Sequence, residues 1–252
     1  MANLHFLSKM TLLYNPISAL HWIKKKYHDV SDKDISVLKT TYLDNRFCDQ
    51  AYIDELNKLK IEYPVRYQIF ALGEWGSLGD LVYTNYEIKE FDDNFNEYYN
   101  GLDWGFNDPA AGLKIAYYDQ VIYIIDEFYV TGQDNPELMD TAESIWTKSD
   151  SITADSAEPK SIKTWRTNGW SIKGAKKGKD SIKHGIGWIR SHKKVIHPRC
   201  QNYINEIHMW GYGRDKNGNL TEKPIDADNH LMDCERYALE KKMIERKIQW
   251  VA

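Results

Sequence analysis

The sequence predicts an α/β protein with a mixed five-stranded sheet flanked by helices, preceded by a mainly helical segment. Short apolar runs of the kind that form strands alternate with stretches in which apolar residues recur at helical spacing. Two of the strand-like runs are joined by only two residues, whereas the later ones are separated by a helix. Because a two-residue turn pairs strands antiparallel and a helical crossover pairs them in parallel, the sheet is expected to be mixed.

Residues 1–75 are predicted to form a segment too short for an independent domain, and residues 76–252 to form the main domain. In the first segment, residues 18–30 place apolar side chains on one helical face, and residues 49–64 form an amphipathic helix that a proline ends. Between these two helices, residues 36–45 (SVLKTTYLDN) have the composition of a strand.

The main domain is predicted to open with three strands, in residues 98–105, 112–118 and 121–130. Asp119 and Gln120 form the two-residue connection of a hairpin between the second and third of these strands. The first strand is expected to pair with a later one that is reached through a helix.

The chain then alternates between helices and strands. Asn135 is expected to cap a helix that has Pro136 at its first position, and Gly169 to end the helix between the last two strands. Asn217 and Gly218 are typical of a hairpin turn. In order, the expected elements are a helix in residues 135–148, a strand in 151–157, a helix in 158–169, a strand in 170–175, helices near 180–192 and 200–210, and a last helix from about Asp228 to Arg246.

The composition excludes several classes of protein. No stretch approaches the roughly 20 apolar residues that span a bilayer, and the N-terminus lacks the features of a secretory signal. The three cysteines are far apart, which favours reduced thiols in a cytoplasm. The net charge of −4 argues against a protein that coats DNA, and the absence of GxxxxGK[ST] excludes a P-loop nucleotide site.

Three acidic residues lie on three separate predicted elements. Asp103 ends the first strand, Asp155 ends the fourth, and Asp233 lies on the last helix one turn after His230. The first and fourth strands are expected to be central neighbours, so their ends place Asp103 and Asp155 side by side where the strand order reverses. His230 and Asp233 share one helix face because they are three residues apart.

These side chains are of the types that bind divalent metal ions. Aspartate oxygens suit Mg²⁺ or Mn²⁺, a histidine ligand favours Mn²⁺, and two such ions about 4 Å apart hold the attacking and leaving oxygens of a phosphodiester. Glu127, at the end of the third strand, and Asp228, before the last helix, are candidates for positions beside the ligands. The alternatives are that Asp155 caps the helix that follows it, and that Asp228 only stabilises the N-terminus of its own helix.

A glycine-interleaved basic stretch, residues 174–185, contains Lys176, Lys177 and Lys179. Such a loop is either a solvated surface or a contact for the phosphates of a nucleic acid. Beside a metal site the second interpretation is favoured, so these three lysines are predicted to bind the DNA backbone.

Several motifs together resemble a known family. GLDWG at 101–105, TADSAEP at 153–159 and DNHLMDCERYAL at 228–239 are similar to nuclease-domain motifs of the large terminase subunit of tailed bacteriophages. LLYNPISALHWIKKKY, TTYLDN and LGEWG, all before residue 77, resemble the part of that protein that ends its ATPase domain and leads into the nuclease. The resemblance therefore covers nearly the whole chain.

The resemblance implies a ribonuclease-H-like fold and an endonuclease that cuts concatemeric double-stranded viral DNA by two-metal hydrolysis during packaging. Asp103, Asp155 and Asp233 match the family's metal-binding acids, which hold Mn²⁺ or Mg²⁺, and His230 matches a histidine found at the site in some members. The implied partners are DNA, the small terminase subunit and the portal protein, with no membrane, in the cytoplasm of a bacterial host.

The chain departs from the family pattern because the Walker motifs of the packaging motor are absent. We therefore expect a C-terminal part of a large subunit, with the end of the ATPase domain in residues 1–75 and no ATP hydrolysis. Two other functions stay open from the residues alone. One is a docking module of a packaging machine whose acids are inert, and the other is an actin-like nucleotide-binding domain.

Overall fold

The computed structural model describes residues 10–16, 22–62, 66–75, 81–176, 178, 180–214, 220–226 and 228–248. The chain divides into two compact units, residues 1–79 and 80–252. The assignment of the first unit to the end of an ATPase domain stays a prediction. None of the helices in the described ranges has the length and apolar character needed to cross a lipid bilayer.

The first unit is helical, as predicted, but the strand expected in residues 36–45 is wrong. Its hydroxyl-rich sequence caps a short turn of 3₁₀ helix instead, because the Thr41 hydroxyl accepts the backbone N–H of Leu43 and the Asp44 carboxylate accepts that of Thr41. The predicted amphipathic helix is present as α1. Among the described residues of this unit, the helical elements are Lys24–His28, Tyr42–Asp44, α1 (Gln50–Glu62) and Tyr67–Ala71.

The second unit is built around a mixed seven-stranded sheet, to which a separate two-stranded hairpin is added. In the large sheet β3 runs antiparallel to both of its neighbours, and the other pairings are parallel. The order across the sheet is β1-β7-β4-β3-β2-β5-β6. The strands are β1 (Tyr86–Ile88), β2 (Tyr99–Asp103), β3 (Ala110–Tyr118), β4 (Val121–Val130), β5 (Ile152–Ala154), β6 (Ile172–Gly174), β7 (Lys193–Ile196), β8 (Tyr212–Arg214) and β9 (Leu220–Pro224).

The five strands predicted from the sequence are β2 to β6, and their arrangement is confirmed. Asp119 and Gln120 both adopt left-handed backbone conformations, with φ of 48° and 60°, and join β3 to β4 as a tight hairpin. β2 and β5 are parallel neighbours, as expected. Two strands were missed. β1 lies in a stretch for which no element was predicted, with charged residues at Glu87, Lys89 and Glu90, and β7 begins only two residues after α4.

Helices cover both faces of the large sheet and enclose two cores. One core joins β2, β5 and β6 to α2 and α3, and includes the fully buried Trp165. The other joins β3 and β4 to α4, α5 and α6. These helices and the last one are α2 (Asn135–Ala142), α3 (Pro159–Thr167), α4 (Ser181–Arg190), α5 (Gln201–Met209), α6 (His230–Ala238) and α7 (Glu240–Ile248).

Three helix and turn predictions are refined by the structure. The side chain that caps α2 belongs to Asp134 rather than Asn135, since Asp134 Oδ1 accepts the N–H of Glu137 at 3.1 Å. The last helix begins at His230 and is interrupted at Leu239, which separates α6 from α7. β8 and β9 are antiparallel, as a hairpin requires, while the predicted turn at residues 217 and 218 lies outside the described residues.

Candidate functional site

The end of β2 and the start of α6 meet through a partly buried pair of side chains. Asp103 is the last residue of β2 and His230 the first of α6, and His230 Nδ1 donates to Asp103 Oδ2 at 2.9 Å. The two side chains are 15% and 20% exposed, respectively. The hydrogen bond with Asp103 raises the pKa of His230. This contact joins two residues that lie 127 positions apart in the sequence.

The three predicted acids act on one another electrostatically. Burial raises the pKa of Asp103, the hydrogen bond from His230 opposes that rise, and the negative charges of Asp233 and Asp155 add to it. Backbone geometry places the elements that carry these residues side by side, because β2 pairs with β5 and packs against α6.

A glycine on β2 permits the close approach of α6. A Cβ atom at Gly101 would lie 1.9 Å from the backbone carbonyl oxygen of Cys234, so no larger residue fits there with the backbone in place. Gly101 precedes Asp103 by two residues, and Cys234 follows Asp233 directly. The glycine thus places the backbone next to Asp233 against the strand that ends in Asp103.

Asp155 reaches the same edge because β5 runs parallel to β2. Its backbone N–H donates to the carbonyl of Leu102 at 2.9 Å, which extends the β2–β5 ladder by one residue. Its own carbonyl accepts the indole N–H of Trp104 at 2.9 Å. The Asp155 carboxylate accepts the N–H of Ala157 in a local turn, and the residue at the cap position of α3 is Glu158. The alternative in which Asp155 caps α3 is therefore not what the structure shows.

Asp233 forms an ion pair with Arg236, one turn later on α6. Asp233 Oδ1 lies 2.7 Å from a guanidinium nitrogen of Arg236, whose side chain is 12% exposed. Arg236 offsets part of the negative charge of the acidic group, which consists of Asp103, Asp155 and Asp233, and it orients the Asp233 carboxylate. The sequence analysis missed this residue, although its spacing of three from Asp233 on a helix was a signal for the pair.

The carboxylates of the acidic group provide the oxygen ligands that a divalent cation prefers. Among the described residues, no set of three or more His, Cys, Asp and Glu side chains is already placed to hold a metal ion. Asp103 and Asp233 are instead turned toward His230 and Arg236. Carboxylate oxygens are nevertheless the ligands that Mg²⁺ and Mn²⁺ prefer, and a bound cation would offset the burial and the neighbouring negative charges that raise the pKa of Asp103.

The other predicted residues are placed as follows. The Glu127 carboxylate accepts the backbone N–H groups of Asn202 and Tyr203 at 2.7 and 2.8 Å, so it caps α5 and is used there rather than beside Asp103. Asp228 precedes α6 by two residues in a left-handed conformation, with φ of 49°. Lys176 follows β6, which is parallel to β5, and therefore leaves the sheet at the edge that carries Asp155. Lys177 and Lys179 lie outside the described residues.

Glu206 on α5 is a second residue that sequence reasoning missed. It is 4% exposed, and its Oε2 accepts the backbone N–H groups of Leu231 and Met232 at 2.8 and 3.3 Å. Burial raises the pKa of Glu206 to about 8, and the bond from Leu231 opposes that rise. No local signal was available, because the residues it contacts lie 25 and 26 positions further along the chain.

Comparison with known families gives two matches that together cover most of the chain. Residues 103–241 match the family described as "Terminase RNAseH like domain", and residues 2–74 match "Phage terminase large subunit". The chain is 33% identical over 245 residues to the terminase large subunit of Bacillus phage SPP1, and 27% identical over 257 residues to the PBSX phage terminase large subunit of Bacillus subtilis strain 168. These alignments cover 91% and 90% of the chain but only 58% and 59% of the two relatives.

Solved structures agree with this comparison. The crystal structure of the g2p (large terminase) nuclease domain of bacteriophage SPP1 with bound Mn superposes with a TM-score of 0.60 at 34% identity, covering 64% of this chain and 99% of that one. The nuclease domain of the P22 large terminase gives a TM-score of 0.52 at 17% identity, covering 62% and 87%. The second similarity concerns the fold alone.

Proposed function

The chain belongs to the phage terminase large subunit family, and from this premise we propose that its second unit is a metal-dependent endonuclease. The proposed substrate is concatemeric double-stranded viral DNA, cut during genome packaging. What supports the proposal is that Asp103 and Asp155 follow one another at the ends of two adjacent parallel strands of a ribonuclease-H-like sheet, against which α6, the helix with Asp233, is packed. The SPP1 nuclease domain, which has this fold, was crystallised with bound Mn.

We assign the metal ligands to Asp103, Asp155 and Asp233, with His230 as a further ligand. A pair of Mn²⁺ or Mg²⁺ ions bound there would supply the Lewis acidity needed for phosphodiester hydrolysis. His230 fixes the Asp103 carboxylate through the bond at 2.9 Å, and Arg236 fixes that of Asp233 at 2.7 Å. Both pairs are partly buried, which strengthens the interactions that orient the acids.

DNA would approach along the edge from which Lys176 emerges. β2, β5 and β6 are neighbours that run in the same direction, so Lys176, two residues after β6, lies at the same edge of the sheet as Asp103 and Asp155. Lys176, with Lys177 and Lys179 of the same basic stretch of sequence, is proposed to contact phosphates without reading sequence. Such contacts give a binding constant that falls with salt and depends little on sequence.

The partners and the location follow from the family rather than from the site. The chain spans 58% of the length of its SPP1 relative. We propose that the chain acts in the cytoplasm of a bacterial host, beside a small terminase subunit and a portal protein. We expect it to cleave DNA without ATP, since its sequence contains no P-loop motif.

A plasmid-cleavage assay tests this function. The wild-type chain is expected to nick supercoiled DNA with Mn²⁺ or Mg²⁺, with or without ATP. EDTA is expected to abolish this cleavage. Asp103→Asn, Asp155→Asn and Asp233→Asn are each expected to lose activity by orders of magnitude while remaining folded. Asp140→Asn, which changes an exposed acid on α2, is the matched control and is expected to cut normally.

The same assay separates the nuclease from a docking module with inert acids. If all three Asn variants cut plasmid as the wild type does, the site assignment is wrong. Absence of metal-dependent cleavage in the wild type, with the chain folded, would favour the docking module. His230→Ala adds a test of the histidine ligand. Because Mn²⁺ takes imidazole more readily than Mg²⁺ does, this variant should lose more cleavage activity with Mn²⁺ than with Mg²⁺.

A further inference from the structure

The N-terminus of α6 is capped by a side chain from a different helix. The first backbone N–H groups of a helix have no partner inside it, and the residue before the helix usually supplies one. Here that residue, Asn229, makes no such bond with its side chain. Glu206 of α5 caps the helix instead, since its Oε2 accepts the N–H groups of Leu231 and Met232 at 2.8 and 3.3 Å.

α5 is itself firmly held, so it serves as a fixed support for this contact. The Glu127 carboxylate on β4 accepts the N–H groups of Asn202 and Tyr203 in the first turn of α5. Tyr203 and Ile207 of α5 are almost fully buried in the core that faces β3 and β4. A displacement of α5 relative to the sheet would break these bonds and open that core.

A second buried contact ties α6 to the same support and to the sheet. Glu235 of α6 accepts the hydroxyl of Tyr203 at 2.9 Å and pairs with Lys194 of β7 at 3.0 Å. The charged side chains of Glu235 and Lys194 are 0% and 2% exposed. α6 is therefore held at its first turn by Glu206 and one turn later by Glu235, and this limits both its rotation and its sliding.

The position of the Glu206 contact matters because of what lies on either side of it. Leu231 and Met232 stand between His230 and Asp233, so their backbone is the part of α6 that carries both proposed ligands. A helix rises about 1.5 Å per residue, so a small slide of α6 moves both side chains relative to Asp103 by distances that matter for metal coordination.

We infer that Glu206 is a positioning residue of the metal site: by holding the first turn of α6, it sets the distances from His230 and Asp233 to Asp103. This inference rests on the proposed nuclease function. The competing explanation is a cap that contributes to stability and leaves the metal site unchanged. The two explanations differ in what they expect for metal affinity in protein that is fully folded.

Three substitutions of Glu206 separate position from charge. Glu206→Gln keeps the length of the side chain and an acceptor oxygen, so it is expected to bind Mn²⁺ within about threefold of wild type. Glu206→Asp keeps the carboxylate but is one methylene shorter, and is expected to bind Mn²⁺ at least about 10-fold more weakly. Glu206→Ala is expected to be weakened as much or more. Asp134→Ala, which removes the cap of α2, is the matched control and is expected to leave Mn²⁺ affinity unchanged.

The measurement is a titration of the whole chain with Mn²⁺ alone, followed by the electron paramagnetic resonance signal of the free ion. Circular dichroism fixes a temperature at which every compared variant is folded. If Glu206→Ala does not fold, the comparison of Asp with Gln still decides the outcome. Wild-type affinity in a folded Glu206→Asp variant would overturn the inference, as would equal weakening by Asp134→Ala.

Asp103→Asn distinguishes failure of this inference from failure of the proposed function. If Asp103→Asn binds Mn²⁺ as tightly as wild type, the metal site itself is wrong and the role of Glu206 falls with it. If Asp103→Asn loses Mn²⁺ while all three Glu206 variants retain it, the metal site stands and Glu206 is only a structural cap.

Discussion

Replacing Gly101 by alanine tests whether the close approach of α6 to β2 sets the geometry of the site. The added methyl group would lie 1.9 Å from the carbonyl oxygen of Cys234, 2.6 Å from its carbonyl carbon and 3.0 Å from its Cα. These are backbone atoms, so no side-chain rotation relieves the clash. The strand and the helix must separate.

The size of the effect follows from that distance. The contact to the oxygen has to open from 1.9 Å to at least 3.0 Å, a shift of about 1.1 Å. Overpacking of a core by one methyl group costs about 1–3 kcal/mol, and the rigid obstacle places Gly101→Ala near the upper end of that range. A displacement of about 1 Å in a catalytic site costs on the order of 100-fold in rate, which is the loss we expect in metal-dependent cleavage.

The assay combines urea unfolding with plasmid cleavage in Mn²⁺, and Gly187→Ala is the control. Gly187 is exposed on α4, and a Cβ atom there meets nothing within 4 Å. Alanine at that position should stabilise the chain by about 0.5–1 kcal/mol, because glycine is a poor helix former, and should leave cleavage unchanged. A folded Gly101→Ala variant that cuts DNA within threefold of the wild-type rate would show that the close approach of α6 to β2 does not set the geometry of the site.

Three further predictions concern the buried polar groups. Burial raises the pKa of Glu206 to about 8, from an ordinary value of 4.5, so between these pH values the folded state retains a proton that the unfolded state has released. The free energy of unfolding should therefore fall as pH rises from about 5 to 8, by an amount on the order of 3–4 kcal/mol, and urea titrations of Glu206→Gln should lack this fall. Lys194→Met leaves Glu235 buried without a cation and should cost about 3–5 kcal/mol, whereas adding Glu235→Leu should recover part of that loss in the same titrations. Burial raises the pKa of the Cys234 thiol, while Cys48 is partly exposed, so a disulfide reagent should modify Cys48 in the native chain and Cys234 only on unfolding.

Much of the fold of the second unit could be predicted because its elements are signalled locally. Each of three features is determined by a short stretch of sequence: the Asp119–Gln120 turn, the long apolar runs of β3 and β4, and the glycine after α3. The resemblance to the terminase large subunit, based on three short motifs, is confirmed by the family matches. β1 and β7 were missed because β1 is interrupted and followed by charged residues, and β7 begins two residues after the end of α4.

The candidate acids could be found from sequence, but their surroundings could not. Asp103 and Asp155 follow directly from two apolar runs, and parallel pairing of those runs makes them neighbours. Glu206 meets α6 only through the tertiary packing of two helices, and the contact between Gly101 and Cys234 depends on where α6 crosses the sheet. Glu127 was expected beside the metal ligands, but it lies within β4 and its carboxylate accepts two backbone N–H groups of α5, a contact that only tertiary packing creates.

Asp103, Asp155 and Asp233 are proposed to bind the catalytic divalent cations together. Anomalous diffraction at the Mn absorption edge, from crystals of the chain soaked in Mn²⁺, would locate such ions. We expect one or two anomalous peaks within coordination distance, about 2.0–2.3 Å, of carboxylate oxygens from these three residues. A Mn²⁺-soaked crystal with strong anomalous peaks elsewhere and none at the three carboxylates would contradict it.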